Sequence, residues 1–156
     1  MTTGRPVPRI PIQLSRGVLV ASVQVDLDDA VLVSLRDDLL ARIQASGAAG
    51  VILDVSGLET LDSYEFEALR SLMVMTRMMG ARAVLVGLKP GIVAALILTE
   101  VDVEGIDAAL DLDAAFRMLE PEPEAEPEVA EAAEPAQTEE LAEPGTPSLA
   151  EPGVPS

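Results

Sequence analysis

At Glu120 the chain changes character so abruptly that everything able to fold has to lie before it. Residues 120–156 hold eleven Glu and eight Pro but no Asp, Lys or Arg. Like charges extend such a segment, and the prolines deny it long helices. It reads as a disordered, acidic Pro/Glu/Ala-rich tail whose simplest use is as a solubilising spacer. The tail carries −11 of the formal net charge of −17, which leaves −6 on residues 1–119. A body of that length fits one domain and is too short for two independent cores.

The body has to build its core from aliphatic side chains, because the whole chain has two Phe, one Tyr and no Trp. Histidine and cysteine are absent, which excludes Ser-His-Asp and Cys-His mechanisms, zinc sites with nitrogen or sulfur ligands, and thiol redox chemistry. No cofactor, no metal site and no enzymatic activity are read from the remaining residues. Neither part offers the basic patch that binds phosphate backbones or anionic lipid, so no nucleic-acid partner is expected. The first nine residues lack an apolar signal core, and the longest strongly apolar run, 92–98, is too short to span a bilayer. The expectation is a cytoplasmic protein without direct membrane insertion.

Within the body, short β-rich runs alternate with helical patterns, which is the signature of an α/β fold. Residues 10–14 and 18–23 predict two strands around a Ser15-Arg16-Gly17 turn. A helix is predicted over 28–46, with Asp28 and Asp29 in its first turn, Leu32, Leu35, Leu39 and Ile43 on one face, and Gly47 as its stop. Residues 51–55 predict a buried strand. The next helix should start at Asp62, with Asp62 and Glu65 forming a capping box, and bury Phe66, Leu69, Leu72, Met73 and Thr76. Residues 83–86 predict a strand, 90–98 a short helix opened by Pro90, 103–106 a weak last strand, and 111–119 a final helix. Right-handed crossovers then set 51–55 and 83–86 side by side and parallel, in a mixed sheet covered by helices.

Four stretches carry a resemblance: "VLVASVQVDLDD" at 18–29, "GAAGVILDVSGLETLDSYEFEALRSL" at 47–72, "MGARAVLVGLKPGIVAAL" at 79–96, and "EGIDAALDLDAAFRML" at 104–119. The combination of a strand-ending Asp, an Asp-Ser pair at the next helix start and a later Val-Gly-x-x-Pro resembles the STAS domains of anti-sigma-factor antagonists, with RsbS-like stressosome scaffolds the nearest likeness. The resemblance covers nearly all of 1–119 and none of 120–156. It implies a single STAS domain in which Ser63 is the residue a partner serine/threonine kinase phosphorylates. It further implies that the unmodified protein, assembled with sensor STAS paralogues in a large hetero-oligomer, sequesters that switch kinase, releases it on phosphorylation, and is reset by a transient serine phosphatase. Related sensors carry a second phosphorylatable Thr in the helix after the Gly-x-x-Pro segment. Ala94 and Ala95 stand in that stretch here, and only about nine residues precede the first strand, so the scaffold type is implied.

Asp62 and Ser63 are also what an ordinary helix start carries, so capping and switching are compatible roles for the pair. A hydroxyl in a first helical turn is exposed, and a phosphate there adds about −1.5 to −2 charge beside Glu59, Asp62 and Glu65. The partner-binding face is read as Asp62, Ser63, Tyr64, Glu67, Arg70, Ser71 and Val74. Met73, Met75, Met78 and Met79 point in too many directions for one buried face, so some of them lie at the surface.

Two rival readings stand beside this one. A degenerate response-regulator receiver would use Asp54 as acceptor and Lys89-Pro90 as its later motif, but Ser15 and Arg16 stand where an acidic metal-binding pair should follow the first strand. Asp54 then reads as a loop-ordering acceptor at the head of the second helix. The other rival is a STAS module regulating a transporter or lipid-trafficking complex. The carboxylate pairs Asp28-Asp29 and Asp37-Asp38 diverge by about 100° along a helix and read as capping or solvated residues.

Overall fold

The computed structural model describes residues 6–121. The element order is β1 (Ile12–Ser15), β2 (Val18–Ser22), α1 (Asp29–Ser46), β3 (Gly50–Asp54), α2 (Ser63–Met78), β4 (Arg82–Val86), α3 (Pro90–Leu98), β5 (Ala108–Ala109) and α4 (Leu112–Leu119). The five strands form one mixed sheet in the order β1-β2-β3-β4-β5. The β1–β2 pair is antiparallel, and every later pairing is parallel. Arg16 and Gly17 make the tight β1–β2 turn with φ of 54° and 76°.

Strand alternation divides the sheet into two cores. Leu19, Ala21, Val51, Leu53, Ala83 and Leu85 face the larger one, where Leu35 and Leu39 of α1, Phe66 and Leu69 of α2, and Ile92 and Leu96 of α3 pack on them. Val18, Ile52, Val84 and Val86 face the opposite side, which α4 covers with Ala115, Phe116, Met118 and Leu119. Gly50 admits α4 closely, since a Cβ there would lie 3.0 Å from a Leu119 methyl. Arg16 closes the edge of this second core with its guanidinium 4.0 Å from the Phe116 ring centroid.

Local signals set most element ends. Asp28 caps α1 from outside it, accepting from the Val31 N–H, and Gly47 ends the helix at φ 67°. The α1 face that packs is Val31, Leu35, Leu39 and Ile43, with Leu32 half-buried at its margin, so Val31 takes the inward place predicted for Leu32. The last strand lies elsewhere than predicted: β5 is Ala108–Ala109, and 103–106 belongs to the connection from α3. Long-range contacts fix that connection, with Arg70 bonded to Asp102 at 3.0 Å and Arg77 donating to the Gly105 carbonyl at 3.3 Å. Among the described residues no helix is long and apolar enough to cross a membrane. The predicted tail, 120–156, lies outside the described residues beyond position 121.

Candidate functional site

The site is built where β3 hands the chain to α2. Asp54, at the end of β3, accepts from the Ser56 N–H at 3.0 Å and from the Ser56 hydroxyl at 2.7 Å. Its carboxylate therefore orders the loop immediately after β3 and does not reach the head of α2, the place predicted for it. Leu58 and Leu61 are buried, which pins the rest of that loop to the core and fixes where α2 begins.

Asp62 caps α2 with its Oδ1 accepting from the Glu65 N–H at 2.7 Å, and the Glu65 carboxylate accepts in return from the Asp62 N–H at 3.3 Å. This is the capping box read from the sequence, and it holds the first turn rigid. Ser63 is the first residue of that turn, exposed, and its hydroxyl makes no hydrogen bond among the described residues. Tyr64 reaches sideways and donates to Asp29 Oδ1 at 2.8 Å, tying the start of α2 to the start of α1.

Ser63 opens onto a groove of about 370 Å³ between the β3–α2 segment and α3. Glu59, Asp62 and Glu65 stand on one wall, and Gly91 and Ala95 of α3, with Thr99 just past its end, on the other. Among the described residues no Lys or Arg lines it, and the three carboxylates give its lining a negative formal charge. Partial burial pushes the Glu65 carboxyl above its ordinary pKa, with the charges of Asp62 and Asp26 adding to the effect. The bond from Lys89 to Glu59, at 2.7 Å, lowers the Glu59 pKa, and the bond to Asp29 raises that of the Tyr64 phenol.

The other residues read as a partner face are distributed along α2. Ser63, Glu67, Arg70 and Val74 fall at i, i+4, i+7 and i+11, one stripe of the helix. Along that stripe Val74 is exposed, whereas Arg70 is half-buried, with its guanidinium on Asp102 and 3.7 Å from Glu67. Ser71 lies to the other flank, where it lines a second, mainly apolar groove of about 170 Å³ with Leu32, Val33 and Met75. Of the methionines, Met73 is buried while Met75, Met78 and Met79 are exposed. Sequence reasoning gave Lys89 no place at this site. Its pairing with Glu59 spans 30 residues, and the only local trace of it is a cation immediately before the helix-opening Pro90.

The family model described as STAS domain matches residues 9–113. No curated protein matches the chain. Among solved structures, RsbS of Moorella thermoacetica carrying a serine-to-glutamate substitution is similar at 25% identity and a TM-score of 0.61, over 70% of this chain and 93% of that one. A chain from a structure described as the molecular architecture of the stressosome, a signal integration and transduction hub, is similar at 27% identity and a TM-score of 0.61, over 70% and 95%. The anti-sigma factor antagonist SpoIIAA in its unphosphorylated form shares the fold at 15% identity and a TM-score of 0.55, over 70% and 95%.

Proposed function

The chain belongs to the STAS domain family, and from that premise we propose that it is a phosphorylation-controlled binding module that sequesters a switch serine/threonine kinase and lets it go when Ser63 is modified. Residues 1–119 form the module, and 120–156 are an acidic extension to it. The module works by binding and not by catalysis of its own. Its similarity to RsbS and to a stressosome chain supports the scaffold form of this reading, in which sensor STAS paralogues share a hetero-oligomer with it.

The observation that carries the proposal is the state of Ser63: exposed, without a hydrogen bond to its hydroxyl among the described residues, and fixed in place by the Asp62–Glu65 capping box. The kinase transfers the γ-phosphoryl group of ATP to Ser63 Oγ, ADP leaves, and the hydroxyl proton is lost to the kinase or to solvent. A dianion then stands where a flush partner surface had closed over a neutral hydroxyl. The desolvation cost of that charge opens the complex. A serine phosphatase hydrolyses the phosphoester and resets the module. Asp62, Tyr64, Glu67, Arg70, Ser71 and Val74 complete the docking face, with Asp102 holding Arg70 in position.

Binding measurements with the kinase test this directly. Ser63→Ala is expected to bind and hold it, and Ser63→Asp to weaken the complex by about tenfold or more, the effect of one uncompensated charge at an interface. The thermal midpoints of both variants should match the parent, since the residue is exposed. Equal kinase affinity for the two variants would overturn the reading.

A further inference from the structure

Ser63 stands among carboxylates, and a phosphoryl group added there needs a counter-ion. Glu59, Asp62 and Glu65 line its groove, Asp26 acts on Glu65 from the β2–α1 segment, and Asp29 sits beyond Tyr64. Among the described residues the groove is lined by no cation, and the cation that touches its rim is Lys89, held on Glu59 Oε2 at 2.7 Å.

The root of Lys89 is rigid while its tip is not. Pro90 confines the backbone before it, which lies at φ −76° and ψ 149°. Gly87, two residues earlier, is packed against Ser56 of the loop that leads to Ser63. The ammonium group, on its flexible four-carbon stem, bonds a Glu59 side chain that is 85% exposed, a weak, solvent-screened pair. A phosphoserine dianion on the same groove outbids a single carboxylate for that charge.

We propose that Lys89 is the in-chain counter-ion of phosphorylated Ser63: the phosphoryl group draws the ammonium off Glu59 and across the mouth of the groove. The inference rests on Ser63 being the modified residue. Lys89 is thus a positioning residue that holds the phosphate against the module, and Glu59 is released as a free carboxylate on the rim. The modified surface then differs from the unmodified one at two points, Ser63 and Glu59.

The test is a phosphorus NMR titration of the full chain with phosphoserine placed at position 63 by amber suppression. The second phosphate pKa is expected to be lower in the parent than in Lys89→Gln by about half a unit, the discounted effect of one opposite charge at an exposed site. In Glu59→Gln, where Lys89 has no rival partner, it should lie at or below the parent value. Arg117→Gln, which removes one positive charge from α4 on the opposite face of the sheet, should leave it near the parent. A Lys89→Gln titration that coincides with the parent overturns the proposal, as does a rise in Arg117→Gln equal to that in Lys89→Gln. Because the phosphoserine is installed without a kinase, a chain that no kinase modifies sinks the switch reading while this titration is judged separately.

Discussion

Gly87 sits at φ +88°, a backbone region that side chains other than glycine's adopt at a cost. A Cβ there would also come 2.6 Å from the Ser56 Cβ and 2.9 Å from its Cα and N, so backbone has to move to admit it. Both effects act in the same direction, and Gly87→Ala is expected to destabilise the fold by about 2 kcal/mol or more. Denaturant midpoints measure this, and a loss under about 0.5 kcal/mol would mean that the Ser56 loop yields freely. The glycine is legible in the sequence as part of Val-Gly-x-x-Pro, but its reason is not. The atom that requires it belongs to a residue 31 positions earlier, brought alongside by the β3–β4 pairing. Asp54 is a similar case: its loop-ordering role could be read, but the amides expected for it lay at the head of α2, whereas its donors are the N–H and hydroxyl of Ser56, two residues on.

The capping box of α2 makes a prediction at the scale of an element. The Glu65 pKa in the fold is raised above the ordinary 4.5 by partial burial, so the folded chain binds this proton more tightly than the unfolded chain does. Stability therefore falls as pH rises through a window that begins near the ordinary value. Glu65→Gln keeps a side-chain acceptor for the Asp62 N–H and removes the charge. Its thermal midpoint should exceed the parent's at neutral pH, and the gap should close as pH falls toward about 4. A gap that is constant with pH would assign the difference to something other than this carboxyl. The box itself, and the buried face of Phe66, Leu69, Leu72, Met73 and Thr76, could be read in advance because both depend on spacing along one helix. The last strand could not. Residues 103–106, Val-Glu-Gly-Ile, carry only a weak strand pattern, Arg70 and Arg77 of α2 hold the chain there as a connection through Asp102 and the Gly105 carbonyl, and the sheet's final rung goes to two alanines with no strand pattern of their own. At α1 the buried stripe runs Val31, Leu35, Leu39 and Ile43 at four-residue spacing, so Val31, and not the expected Leu32, continues it toward the start of the helix.

For the molecule as a whole, the decisive quantity is where the apolar surface is spent. Both faces of the sheet are closed by residues up to Leu119: α1, α2 and α3 over one, and α4 over the other. The change of composition at Glu120 follows directly on this last core helix, and the two-sided arrangement became visible only with α4 in place. Among the described residues both cores are filled by side chains no later than Leu119, so a chain ending at 120 should unfold cooperatively with a midpoint within a few degrees of the full chain, the shift expected from well under 1 kcal/mol. The same deletion removes ten of the eleven tail glutamates and takes the formal charge from −17 to −7. Encounter with a basic partner surface should then slow and lose part of its salt dependence, while dissociation from a face built on α2 stays unchanged. Stopped-flow association at two ionic strengths separates these effects. If the truncated chain lost cooperative unfolding, the fold would need the tail; if dissociation quickened instead, the tail would belong to the docking face.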